Sequence, residues 1–225
     1  MNPLKLDRRK FIKGSTAFAT LASVGVPSMA FSAKAKKYKV GLIGTGWYGK
    51  SDLFRLIQVA DIDVIGIADP DSHLLDEAGK LISQRQKSGK TPKKYKHYRK
   101  MLDENELDIV LVGSPDHWHA LHAIDAIHSG AHVYLQKPIS VDVMEGEAIL
   151  AAARKHNKVV QIGTQRRSTP HLVEAKKNIV DKGLLGKVSH AEMCCYYHMR
   201  ANGSPEIQPV PDFFDYDLWV GPGPM

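Results

Sequence analysis

An α/β fold on a doubly wound parallel sheet is predicted by three features of the 225-residue sequence. Short apolar runs of strand length recur at 39–43, 64–68, 108–112, 132–135 and 159–162. Segments with helical spacing of apolar residues lie between several of them. The first run leads directly into Gly44-Thr45-Gly46-Trp47-Tyr48-Gly49, a spacing that suits a tight strand-to-helix turn. Strands that alternate with helices imply a parallel sheet covered on both faces. The pattern places this domain at 37–166, with 167–225 following it and 1–30 forming a separate leader.

Each element has a local reason. Lys39-Val40-Gly41-Leu42-Ile43 reads as a buried parallel strand. Leu53, Leu56, Ile57 and Ala60 give the helix that follows one apolar face. Val64 to Ala68 is the second strand, and it ends at Asp69. Strand, G-x-G-x-x-G, helix, strand and acid is the order of the Rossmann-type dinucleotide fingerprint. Gly44 permits the turn, Gly46 lets a pyrophosphate approach the backbone, and Gly49 allows close helix–strand packing. Unpaired N–H groups at the helix N-terminus favour phosphate. Asp69 is suited to accept from ribose hydroxyls and to repel a 2′-phosphate, which favours NAD over NADP.

The alternation continues downstream. Asp108–Val112 is a strand that ends at Gly113-Ser114-Pro115. His119–Ser129 is helical, with Gly130 placed to end it. His132–Leu135 is a strand followed by Gln136-Lys137-Pro138, and Ser140 can cap a helix reaching about Asn157. Val159–Ile162 runs into Gly163-Thr164-Gln165-Arg166-Arg167. Ligands of such sheets bind beyond the strand C-termini, where these polar clusters lie. Beyond them, Thr169-Pro170 starts a helix with an apolar face of Leu172, Ala175, Ile179 and Val180, ended by Gly183. Residues 187–198 read as one extended strand.

Composition narrows the function classes. With 43% apolar and 24% charged residues the chain is not of the disordered type. Its two cysteines, Cys194 and Cys195, are neighbours, which excludes a disulfide-stapled scaffold. The net charge of +7 raises nucleic acid as a partner. However, the leader Lys5 to Ala30, with Arg8-Arg9 and Phe11, a short small-residue apolar stretch and Met29-Ala30, reads as a twin-arginine export signal and a periplasmic or otherwise exported location. Asp7 departs from the usual Ser or Thr before the arginines. Removal of 1–30 lowers the net charge by four, from +7 to +3. Much of the remainder sits in the run Lys80–Lys100, with nine Lys/Arg and no acid, which reads as a solvated basic loop rather than a nucleic-acid surface.

On these motifs the chain resembles the Gfo/Idh/MocA oxidoreductases over roughly residues 37–225. The carriers are the glycine loop, Ala68-Asp69-Pro70, Ser114-Pro115-Asp116-His117-Trp118-His119, His132-Val133-Tyr134-Leu135-Gln136-Lys137-Pro138 and Gly183-Leu184-Leu185-Gly186-Lys187-Val188. The resemblance implies an NAD(P)-dependent oxidoreductase acting on a sugar, polyol or related carbinol. It places Lys137 beside the nicotinamide ribose and the substrate hydroxyl, and His119 near the nicotinamide. Gln136 stands where the family carries glutamate. Gly44, Thr45, Gly46, Trp47, Tyr48, Gly49, Asp69, Ser114, Pro115, His119, Gln136 and Lys137 are the expected cofactor contacts. Lys137 is the expected catalytic residue, and Arg166 and Arg167 are candidate substrate contacts. A metal site through Asp116, His117, His119 and His122 is disfavoured, because no further ligand is in view.

The resemblance further implies that 167–225 opens a second α/β domain, the substrate domain, with a downstream acid/base histidine beyond Met225 and a homo-oligomer when full length. The chain is therefore expected to be an N-terminal fragment. Export of a folded protein with its cofactor already held supports an alternative, a redox-neutral glycoside hydrolase that works by transient oxidation and elimination. A non-catalytic dinucleotide-binding module is the third reading.

Overall fold

The computed structural model describes residues 37–194 and 206–223. The leader at 1–30 and residues 195–198 of the expected 187–198 strand, Cys195 among them, lie outside those residues. Six strands form one parallel sheet: β1 (Tyr38–Ile43), β2 (Ile62–Ala68), β3 (Lys93–Tyr95), β4 (Ile109–Val112), β5 (His132–Gln136) and β6 (Val160–Gly163). Their order is β3-β2-β1-β4-β5-β6. The direction of winding reverses between β1 and β4, so a crevice opens beyond their C-terminal ends, at Gly44 and Gly113. This is the expected Rossmann-type sheet.

The helices are α1 (Trp47–Val59), α2 (Ser72–Arg85), α3 (Tyr98–Glu104), α4 (His119–His128), α5 (Val143–Lys155), α6 (Pro170–Ala175, continued as a π turn over Lys176–Val180) and α7 (Tyr216–Val220). Two apolar clusters sandwich the sheet. Leu42, Leu53, Ile67 and Ile82 are fully buried on one face, and Val110, Met101, Ile127 and Leu135 on the other. Each such side chain contributes about 1.5–3 kcal/mol by leaving water. Among the described residues no helix is long and apolar enough to cross a membrane.

Four sequence expectations need correction. The run 80–100 is not one loop: it holds the end of α2, a loop, β3 and the start of α3. Several of its charges pair with acids outside the run, with Lys94 on Asp76 (2.7 Å), Arg99 on Asp125 (2.9 Å), Lys96 on Asp215 (2.7 Å) and Lys93 on Glu104. The cap of α5 is Asp142, whose carboxylate accepts from the Glu145 N–H (2.9 Å), while the Ser140 hydroxyl donates to the Asp142 carbonyl (2.6 Å). The helix after Pro170 forms, but Leu172, Ile179 and Val180 are 44%, 41% and 53% exposed, so its apolar face meets no core among the described residues. Residues 187–194 form no strand. An extended segment needs a ladder partner, and none pairs with it among the described residues.

Candidate functional site

At the crevice the chain turns through Gly44, whose φ of +87° is costly for any residue with a Cβ. The glycines here pack backbone to backbone. A Cβ on Gly49 would lie 2.0 Å from the Gly44 carbonyl oxygen, and one on Gly113 would lie 2.8 Å from the Gly49 Cα. Gly46 differs, because a Cβ there would meet no protein atom within 4 Å. It opens α1, and it carries no side-chain cap; the helix has no acid in its first turn. The positive end of α1 therefore faces open space lined by Gly46, as an anionic ligand requires.

Thr45 ties this loop to β2. Its N–H (2.6 Å) and hydroxyl (3.0 Å) both donate to Asp69 Oδ2, and the Asp71 N–H donates to Asp69 Oδ1 (3.0 Å). Burial pushes the Asp69 carboxyl up, opposed by these hydrogen bonds. The two Thr45 donors occupy Oδ2, Oδ1 keeps a lone pair for a further donor, and Asp69 lines the cavity beside the glycine loop. That cavity measures about 420 Å³, in the range of small-molecule sites. Gly44, Gly46, Trp47, Tyr48, Asp69, Ser114 and Pro115 line it, whereas Thr45 and Gly49 stand behind it as supports. The residues present fit a dinucleotide: an open glycine, an uncapped helix N-terminus and a carboxylate at the end of β2.

The remaining expected contacts lie outside the cavity wall. His119 is 1% exposed, and its ring nitrogens face two main-chain carbonyls, Pro138 (2.6 Å from Nδ1) and Ser114 (3.0 Å from Nε2). It staples the loop after β4 to the cis Lys137–Pro138 turn and does not reach the cavity. Lys137 is exposed at the end of β5, with Nζ 6.0 Å from the centre of the Tyr48 ring. The Tyr48 hydroxyl accepts from Gln165 (2.8 Å). Arg166 and Arg167 are exposed on the turn after β6.

Gln136 has a clear physical role. Its amide donates to Asp52 (2.6 Å) and accepts from the Lys137 N–H (2.7 Å). Burial pushes the Asp52 carboxyl up, and the Gln136 and Arg55 interactions oppose the shift. A glutamate at 136 would bring two carboxylates together, so an amide suits this partner better.

Sequence reasoning missed His122 as a cavity residue, although it lies one turn beyond His119. It stacks on Trp118 (4.6 Å, 8°) and meets Tyr98 edge-on (4.1 Å), and its Nδ1 is 2.9 Å from the Ser114 hydroxyl. Burial, reinforced by His119, Arg99, His97 and His117, holds its pKa down to about 3 from 6.5. The unfolded chain takes up this proton below about pH 6.5 and the folded chain only near 3. Stability contributed by His122 is thus present at neutral pH and falls by up to about 1.4 kcal/mol per pH unit across that window. His122→Asn keeps a polar group near Ser114 and removes the titration. The stability difference between parent and variant in urea should narrow between about pH 7 and about pH 4.5. Parallel losses would show that His122 does not carry the effect. Among the described residues no three His, Cys, Asp or Glu side chains are grouped to hold a metal ion.

Comparison with known proteins agrees with this geometry. Residues 38–164 match the family described as oxidoreductase family, NAD-binding Rossmann fold (GFO_IDH_MocA). The chain is 26% identical over 219 residues to a glycosyl hydrolase family 109 protein of Shewanella pealeana, an alignment covering 88% of this chain and 47% of that protein. It is 28% identical over 151 residues to an inositol 2-dehydrogenase of Salmonella paratyphi B, covering 66% and 43%. Scyllo-inositol dehydrogenase of Lactobacillus casei, solved with NAD(H) and scyllo-inositol, superposes with a TM-score of 0.58 at 26% identity, covering 67% of this chain and 43% of that one. The chain thus spans less than half the length of these relatives. With the glycine loop, Asp69 and the β3-β2-β1-β4-β5-β6 order in place, the chain belongs to the Gfo/Idh/MocA family of NAD-binding oxidoreductases.

Proposed function

We propose that this chain is the cofactor-binding part of an exported oxidoreductase that acts on a sugar, polyol or related carbinol and prefers NAD to NADP. The observation that carries the reading is the cavity where Gly46 leaves room beside the α1 N-terminus and Asp69 closes the β2 side. When bound, NAD supplies the acceptor and donor of the substrate's hydride. Gly46 and the first turn of α1 bind its phosphates, and Asp69 accepts from the ribose hydroxyls and disfavours a 2′-phosphate. Lys137 orients the substrate hydroxyl and stabilises negative charge developing on its oxygen. Arg166 and Arg167 supply further contacts to a polar substrate. Arg8-Arg9 directs the folded protein out of the cytoplasm with its cofactor held.

A redox-neutral glycoside hydrolase is the second reading, favoured by the 219-residue alignment with the Shewanella pealeana protein. The test uses the protein as its native host makes it, offered polyols and aryl glycosides in turn. NADH or a stable keto-sugar is the result expected of the dehydrogenase, and aglycone release without NADH that of the hydrolase. In either case Lys137→Ala should lower turnover about 100- to 10,000-fold. Unchanged turnover would place the reacting centre elsewhere.

A further inference from the structure

The far end of the described chain returns to the nucleotide domain and takes part in its cavity. Phe214 pairs antiparallel with Asp71, two residues beyond Asp69. The Phe213 carbonyl accepts from the Ser72 N–H (2.9 Å) and hydroxyl (3.2 Å), and the Asp215 N–H donates to the Pro70 carbonyl (3.1 Å). The Phe213 ring stacks on His73 at 3.9 Å. Asp215 caps α7 through the Leu218 N–H (2.9 Å) and pairs with Lys96 (2.7 Å), which holds its carboxyl below the usual range.

The other end of this strap is fixed just as firmly. The Trp219 carbonyl lies 3.0 Å from His117 Nε2 and accepts from the Trp118 indole N–H (2.9 Å). Gly221, at φ +50°, sits so close to Trp118 that a Cβ would lie 1.9 Å from the ring. Between these anchors Phe214, Leu218 and Trp219 line the same cavity as Gly46 and Asp69.

We propose that residues 213–221 are part of the cofactor site: Phe214, Leu218 and Trp219 wall the adenine end of the bound dinucleotide against Pro70 and Leu74. The inference rests on the NAD reading above. Its direction follows from Asp69. A carboxylate at the end of β2 takes the adenosine ribose, so the base attached to that ribose lies toward the turn 70–74, where the strap is paired. That side of the cavity is apolar and partly aromatic, as a flat heteroaromatic ring requires, and the α1 N-terminus takes the charged phosphates. The strap therefore links retention of the cofactor to a chain segment 141 residues away in sequence from Ser72, the residue it pairs with.

The test measures binding of ADP-ribose and of nicotinamide mononucleotide by calorimetry, using the full chain as the host produces it. Phe214→Ala removes part of the wall but keeps the main-chain anchors. Gly221→Val unseats the strap without changing a cavity-lining side chain. Both should weaken ADP-ribose about 10- to 100-fold, the range of losing a stacked base, and leave nicotinamide mononucleotide unchanged. Parent-like ADP-ribose binding by both variants would overturn the proposal and leave the NAD reading standing. A parent that binds neither NAD nor ADP-ribose would overturn the NAD reading itself. Should a variant fail to fold, hydrogen exchange on the parent decides: ADP-ribose is expected to slow exchange across 213–221, and no change there would refute the strap's role.

Discussion

Gly49→Ala is expected to cost about 3 kcal/mol of stability or more, seen as a melting temperature lower by about 6–12 °C. On helix propensity alone the substitution should stabilise α1 by about 1 kcal/mol. The packing reverses that sign. The new methyl would stand 2.0 Å from the Gly44 carbonyl oxygen and 3.4 Å from Leu42 Cδ1. Neither relieving movement is cheap. Gly44 is held by its N–H on the Ala68 carbonyl (2.9 Å), and a Cβ on it would lie 2.6 Å from the Gly113 carbonyl group. To accept the methyl, α1 has to lift from β1 and β4 together, and that opens the apolar contacts of Leu53. Thermal unfolding followed by circular dichroism measures the effect. A variant that melts within about 2 °C of the parent would show that the loop yields and that the contact is not a constraint.

The β1–α1–β2 unit and its acid were legible because their causes are local. An apolar run ends on glycines, and the chain has few other ways to turn there. The strand ends at Gly113 and Gln136 were legible for the same reason. What escaped the sequence depends on partners far along the chain. The three-residue strand β3 and the residues after it carry Lys93, Lys94, Lys96 and Arg99, whose acids Glu104, Asp76, Asp215 and Asp125 lie on other elements, so locally it resembled a solvated loop. His119 and His122 share one helix, and sequence alone does not tell which of them faces the cavity. The carbonyls of Ser114 and Pro138 claim the first, and the Trp118 ring holds the second at the cavity. Gln136 looked like a departure from the family pattern until Asp52, 84 residues away, explained it. The strap carries only a local run of aromatic and acidic residues, Phe213-Phe214-Asp215-Tyr216-Asp217-Leu218-Trp219, and its meaning lies in the turn it pairs with.

Gly46 supplies the complementary prediction to Gly49, and the pair separates fold from ligand. Its backbone, at φ −62° and ψ −175°, is open to any L-residue, and a Cβ there has no protein neighbour within 4 Å. Gly46→Val should therefore fold as the parent does, with a melting temperature within about 2 °C. The same side chain enters the space beside the uncapped N-terminus of α1, where a pyrophosphate has to approach the backbone. Overlap of this kind typically costs 1–3 kcal/mol, so NADH affinity measured by calorimetry should fall about 10- to 100-fold. Were Gly46 only a turn residue, the packing around it would object to a side chain, as it does at Gly49, and binding would follow stability. A Gly46→Val protein that folds and binds NADH like the parent would mean that the phosphates pass elsewhere, and the cavity would lose its claim as the dinucleotide site. The two outcomes differ because one glycine is pressed on by protein and the other only by what the protein holds.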